Sequence, residues 1–228
     1  MKTYHKIHSI YKRDPKTDYK TFLEGNVSRP EFEYLFYNQW LFTEKIDGTN
    51  IRVIIGGDTP KEKERTGHLT IEFKGKTDKA QTPIFLLEKL KEIFTLKKLS
   101  KMYEMFKFPP EGGSVCLYGE GYGARINKGG KYIPDGVDFI LFDIKIGDWW
   151  LKREDVSDIA DKLNIKTVPL IKVGTLQTAI DMIKSGTLKS TFGDFLVEGL
   201  VGRPCIELQD RAGRRIITKI KHRDYGIK

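Results

Sequence analysis

The segment FTEKIDGTN, residues 42–50, places a lysine where a strand-like run meets a tight turn. A free lysine is protonated at neutral pH and is no nucleophile. It becomes one when burial, neighbouring charge or a bound metal lowers its pKa. Lys45 stands beside a turn whose backbone N–H groups suit a phosphate. Asp47, two residues on, projects to the same side if strand geometry persists, and Gly48 lets the backbone pass close to a ligand. The plain alternative is a type I′ hairpin carrying a solvated lysine, because KxDG alone is a short pattern.

Four more segments carry residue types that suit phosphate and nucleotide chemistry. YGEGYGARINKGG, 118–130, sets Glu120 between glycines at an expected strand end, where a carboxylate can accept from ribose hydroxyls. Arg125 and Lys128 add charge that favours phosphate. In FILFDI, 139–144, simple alternation puts Phe142 with Ile140 and Ile144, and Asp143 on the other face with Phe139 or Leu141. A phenylalanine there can stack on a base, worth about 1–3 kcal/mol, although such residues are more commonly core. VEGLVGRP, 197–204, offers Glu198 to a hard cation such as Mg²⁺, with Arg203 close behind. Lys219 and Lys221 in ITKIKH are two apart, so a strand would present both ammonium groups on one face, fit for a triphosphate or for guarding an edge.

These residues need elements to hold them. Residues 41–46 and 51–55 are expected as strands flanking the turn, and HLTIEFKGK, 68–76, as a third, with Leu69, Ile71 and Phe73 alternating. The period changes over 82–107, where Ile84, Leu87, Leu90 and Phe94 fall near helical spacing and KKLSKMYEMF continues as a second helix. Residues 115–123 and 137–147 read as buried strands. Residues 152–163 and 175–186 read as helices, the latter with Thr175 as N-cap and Gly186 as its stop. Residues 195–204, CIELQD (205–210) and 214–222 close the chain as strands. Strands come in groups without a strict βαβ rhythm, which predicts an α+β fold with antiparallel sheets and flanking helices. No linker stands out, so one domain over 1–228 is expected.

The bulk composition agrees with this reading. A chain of 228 residues with 39% hydrophobic content can bury a sizeable core, and a formal charge of +9 favours polyanionic partners. The apolar runs are far shorter than the roughly 20 residues needed to span a bilayer, and no membrane partner is expected. Cys116 and Cys205 make neither a disulfide framework nor a CxxC metal pattern, which fits a reducing, cytoplasmic setting.

Taken in order, Lys-x-Asp-Gly, Gly-Glu, an aromatic strand ending in Asp, Glu-Gly and Lys-x-Lys resemble the signature of the covalent nucleotidyltransferases. That superfamily holds ATP-dependent DNA ligases, RNA ligases and mRNA capping enzymes. Within it, EKIDGTN through Thr49 and Asn50, FKGKTDKA, YGEGYGARINKG and DFILFDI are most similar to the phage-type RNA ligase 2 family. The resemblance runs over most of residues 1–225 and is weaker across 152–190.

The resemblance implies a nucleotidyltransferase (adenylation) domain of ATP-grasp-like ligase fold and ATP-dependent RNA ligation in three steps. A lysine takes AMP from ATP, AMP passes to an RNA 5′-phosphate, and a 3′-hydroxyl displaces it. By the same resemblance Lys45 is the nucleophile and Glu44 meets adenine through its backbone. Asp47 stands where some members have histidine, and Gly48 and Asn50 complete the nucleotide-binding turn. Glu120 binds ribose, Phe142 stacks on adenine and Asp143 supports the site. Lys76 stands at a basic position that is often arginine, and Asn127 where glutamine is common. Glu198 helps hold the metal and the lysine, with Arg203 in support, and Lys219 and Lys221 bind phosphates.

ATP and Mg²⁺ or Mn²⁺ are the implied cofactors. RNA ends or nicked duplexes with 5′-phosphate and 3′-hydroxyl are the implied partners, in the cytoplasm of a bacterial or phage-infected cell. Seven residues follow Lys221, so no C-terminal OB-fold or helical module is expected, leaving a minimal ligase or the catalytic domain of something longer. The competing readings are a DNA or nick-repair ligase, and a non-catalytic basic RNA-binding protein that keeps the fold. The second of these sits poorly with the joint presence of Lys45, Glu120, Glu198, Lys219 and Lys221.

Overall fold

The structure is a computed structural model that describes residues 3–56, 71–106 and 114–227. The chain divides into two compact units, Met1–Tyr4 with Asp47–Thr167, and His5–Ile46 with Val168–Lys228. Strands and helices are numbered in chain order through both. Neither unit is continuous in sequence, and neither crossing, at 46/47 or 167/168, carries a run of Gly, Ser or Pro.

The unit that holds the N-terminal strands contains β1 (His8–Ser9), β2 (Tyr11–Arg13), β3 (Phe22–Val27), α1 (Pro30–Tyr34) and β4 (Trp40–Glu44). From the far end of the chain come β10 (Leu170–Gly174), α5 (Leu176–Lys184), β11 (Gly199–Pro204) and β12 (Thr218–Lys221). Its main sheet has the order β1-β12-β11-β4-β10. The pairs are antiparallel except β1–β12, where residues from opposite chain ends run in parallel. Leu176, Ala179, Ile180 and Ile183, at i, i+3, i+4 and i+7, form the buried stripe of α5 and pack with Trp40, Phe42 and Leu200. Thr175 caps α5 as expected, accepting from Thr178 N at 3.1 Å while Thr178 Oγ1 accepts from Thr175 N at 3.3 Å.

The other unit is built on the antiparallel sheet β6-β5-β7-β8-β9. Its strands are β5 (Thr49–Ile55), β6 (Ile71–Lys74), β7 (Val115–Gly123), β8 (Val137–Ile146) and β9 (Trp149–Trp150). The helices are α2 (Ile84–Ile93), α3 (Leu96–Phe106) and α4 (Arg153–Leu163). Ile51, Val53, Leu117, Phe139 and Leu141 meet Val156 and Leu163 of α4 in one core.

The α+β class with antiparallel sheets holds, and several local expectations change. β4 and β5 lie in different sheets, so DGTN is no hairpin turn. Lys45 also lies beyond the end of β4, so strand alternation does not carry through to Asp47. The strand expected over 68–76 appears as Ile71–Lys74, while residues 68–70 fall outside the described residues. On α2 the buried set is Leu86 and Leu90, followed by Phe94, and Ile84 is exposed.

The expected closing strands shorten to Gly199–Pro204 and Thr218–Lys221. CIELQD forms no strand and keeps only the isolated bridge Gln209–Arg215. There Asp210 accepts from Ala212 N and Arg214 N, both at 2.9 Å, and turns the chain back. The elements before residue 35, and β9 and β10, carry too few periodic residues to be read from sequence.

The most informative departure is in β8. Tyr118 pairs with Asp143 and Gly119 with Leu141, so Phe142 is an extra, bulged residue. Phe139, Leu141 and Ile144 all join the core, which leaves the consecutive pair Phe142 and Asp143 together on the opposite face. Simple alternation separates them. Tyr4 meets both, donating to Asp143 Oδ2 at 2.8 Å and packing edge-on to the Phe142 ring at 5.1 Å.

Thr175→Ala removes the side-chain half of the α5 cap and is expected to lower stability by about 1 kcal/mol, measured by urea unfolding.

Candidate functional site

β4 is pinned by the buried side chains of Trp40 and Phe42 and delivers Glu44 and then Lys45 to the sheet end. The Glu44 carboxylate is buried and hydrogen-bonded at both oxygens. It accepts from Ser190 Oγ at 2.5 Å, Thr191 N at 3.0 Å and Thr191 Oγ1 at 2.8 Å. Ser190 and Thr191 were missed by sequence reasoning, since nothing local marks a loop 146 residues away as a partner. Lys45 N donates to Gly199 O at 3.0 Å, which ties the residue to the start of β11.

Glu198 is the centre of this cluster. Lys45 Nζ lies 2.5 Å from its Oε2, and Lys221 Nζ lies 2.5 Å from its Oε1. Burial pushes the Glu198 pKa up, but the two ammonium groups outweigh it and hold the carboxyl below its ordinary value. The stabilisation this represents is present above the unfolded carboxylate range and is lost as pH falls through the folded value. The close approach depends on Gly199. A Cβ there would strike the Ile220 carbonyl oxygen and lie 2.8 Å from Lys221 Cα.

Lys221 is pulled down by burial and by the charge of Lys45, with Glu198 opposing. Lys219 is pushed down to about 8, first by burial and then by Lys221, Lys45 and Arg13. One carboxylate thus sits among three lysines, a local excess of positive charge suited to phosphate. Arg203 is buried on β11, in register with Leu41 of β4.

The other sequence-predicted residues belong to the second sheet's unit. Asn50 on β5 stands in register with Glu120 on β7, and Asn50 Oδ1 is buried without a hydrogen-bond partner among the described residues. Glu120 is flanked by glycines for packing reasons. A Cβ at Gly119 would strike the Phe139 ring, and one at Gly121 would come within 2.5 Å of Leu86.

Gly48 permits close approach of protein backbone, since its Cβ would strike Gly121 O. Asn127, in the left-handed region at φ 48°, donates from Nδ2 to Gly48 O at 2.5 Å, and Tyr132 Oη accepts from Asp47 N at 3.2 Å. The IDGTN turn is therefore held from residues some 80 positions away. Lys76 is exposed. The turn it occupies is anchored by Arg52, a fully buried residue that the sequence reading passed over, which donates to Gly75 O at 2.9 Å and Asp78 Oδ1 at 2.7 Å.

Among the described residues no group of three or more His, Cys, Asp or Glu could cage a metal. A cation such as Mg²⁺ takes only one or two carboxylates and completes its shell from water and nucleotide phosphates. Among the described residues no helix is long and apolar enough to cross a membrane.

Unfolded lysine titrates at about 10.4. With Lys219 at about 8, the unfolded chain binds more protons between those values, so its contribution makes stability rise with pH there. Lys219→Met is expected to be more stable than the parent at about pH 7, and to lose that advantage by about pH 10. Urea unfolding at both values measures it.

A family model for RNA ligase matches residues 38–221. No curated protein matches the chain. Among solved structures, a Naegleria gruberi RNA ligase variant with ATP and Mn is similar at TM-score 0.61 and 19% identity, over 86% of this chain and 52% of that one. The same organism's RNA ligase with PPi gives TM-score 0.60 and 20% identity, over 86% and 53%. Another of its variants with ATP and Mn gives TM-score 0.64 and 16% identity, over 99% and 57%. At these identities the likeness is one of fold, and the chain spans about half the length of the solved relatives it matches. With the family model covering most of its length, and with an ordered lysine–carboxylate–lysine cluster inside the matched region, the chain belongs to the RNA ligase family.

Proposed function

We propose that this chain is an ATP-dependent RNA ligase acting through a lysyl-AMP intermediate on Lys45. The observation that carries the reading is Glu198 bridging Lys45 and Lys221 in a chain of this family. Nζ must shed a proton to solvent before it can attack, and Glu198 Oε2, at 2.5 Å, holds the group at the sheet end. The Lys45 Nζ–phosphorus bond then forms at the α-phosphate as the bond to the bridging oxygen breaks, and pyrophosphate leaves. Lys219 and Lys221 offset the charge that develops on the phosphate oxygens. Glu120 serves the ribose hydroxyls and Phe142 the adenine face, with Asp143 behind it.

A divalent cation at Glu198, Mg²⁺ or Mn²⁺, supplies charge neutralisation on the phosphates. The AMP then passes to an RNA 5′-phosphate, and a 3′-hydroxyl displaces it to leave a phosphodiester. RNA ends or nicked duplexes are the proposed substrates, and the +9 charge supports a polyanionic partner.

The test is incubation with Mg²⁺ and ATP labelled at the α-phosphate, followed by denaturation. Label is expected on the wild type and lost from Lys45→Ala, and absence of label on the wild type would sink the reading. Glu198→Gln keeps the shape but removes the charge that gathers the lysines, and is expected to reduce labelling by about a hundredfold. Nicked duplexes with RNA or DNA on the 3′-hydroxyl side then separate RNA from DNA ligation. Sealing of DNA-ended nicks alone would replace RNA with DNA in the assignment.

A further inference from the structure

Glu198 does not belong to the strand that follows it. β11 begins at Gly199, so the sheet ladder stops one residue short of the carboxylate that gathers Lys45 and Lys221. Another contact sets its position. His222, immediately after β12, is buried, and its Nδ1 lies 2.8 Å from the carbonyl oxygen of Val197. A carbonyl only accepts, so Nδ1 carries the hydrogen, and in the neutral ring Nε2 keeps the lone pair. His222 N also donates to Glu198 O at 3.3 Å, and Gly199 stands in register with Lys221. Val197, Glu198 and Gly199 are therefore each tied to the Lys221–His222 pair. Removing the imidazole donor would leave the Val197 carbonyl without this partner in a buried position, a cost that the segment would relieve by moving.

We infer that His222 is a positioning residue for nucleotide transfer to Lys45, and that its Nδ1–H bond to Val197 sets where Glu198 meets the two lysines. The inference rests on the reading of Lys45 as the nucleophile. What matters is the hydrogen at the Nδ1 position. Nε2 has no hydrogen-bond partner among the described residues, so it adds nothing that a substitute must reproduce. Asparagine can place its amide Nδ2–H where Nδ1–H stands. Glutamine carries its amide one bond farther out, and leucine has no donor.

The experiment compares His222→Asn, His222→Gln and His222→Leu with wild type by single-turnover labelling from ATP across ATP concentrations, with thermal melting of each. His222→Asn is expected within about threefold of the wild-type maximal rate, with Gln and Leu slower by about tenfold or more. The loss should fall on the maximal rate more than on the ATP concentration for half-maximal rate. A purely structural role would lower the melting temperature of the variants and leave the rate per folded molecule unchanged, and that result overturns the inference. So does an Asn variant as slow as Leu. Where Leu fails to fold, Asn against Gln decides alone, since both retain an amide. No label on wild type overturns the Lys45 reading itself and the role of His222 with it, whereas label on wild type matched by every variant overturns only the role of His222.

Discussion

A single carboxylate shared by two ammonium groups organises the Lys45 cluster. Two lysines brought into a partly buried pocket repel each other, and burial alone makes each charge costly. Glu198 relieves both penalties at once, one oxygen for each ammonium. It does so only because the chain around it is closely packed. Glycine at 199 lets β11 approach β12, and β4 lies against β11 in antiparallel register to bring Lys45 to the same end of the sheet. Lys219 has a depressed pKa, first because it is buried and then because it feels the charges of both other lysines.

The same sheet explains why the residue before Lys45 is an acid. Glu44 is buried, and a buried carboxylate needs donors. Ser190 and Thr191 supply three, so this side chain is a structural anchor that fixes the end of β4. The other unit uses a different device for a similar purpose. Its β8 bulge places Phe142 and Asp143 on one face, where Tyr4 can touch both. A one-residue insertion thus does what regular alternation forbids. Asn127 and Tyr132 hold the IDGTN turn through its backbone, which gives that short segment a fixed shape without a hairpin.

The elements with strong period are legible in the chain's local patterning. The α5 stripe at 176, 179, 180 and 183, its Thr175 cap, and the runs 115–123 and 137–146 all follow from it. The errors came where one distant partner outweighed the local signal. Asp-Gly between two β-branched runs reads as a hairpin, yet β4 pairs with β10 and β11 while β5 pairs with β6 and β7. CIELQD alternates well enough for a strand, but Asp210 uses its side chain to fold the backbone on itself. Arg52 looks like an interruption in IRVII, and its burial depends on acceptors at Gly75 and Asp78.

By itself, the sequence determined the class of the fold and the family, and it nominated residues for the chemistry. Those depend on residue type, local period and order along the chain, all of which are one-dimensional. Only the tertiary structure decided which of them meet. Lys45 and Glu198 are 153 positions apart, and Glu198 and Lys221 are 23 apart. Their meeting is set by strand order and register, which are fixed by the packing of whole sheets and not by any local segment. The partners that hold these segments in place, among them Ser190, Thr191, Tyr4, Asn127 and His222, have no local signature of that role. A hydrogen bond between distant residues leaves no periodicity behind, and it becomes readable only once the fold has brought donor and acceptor together.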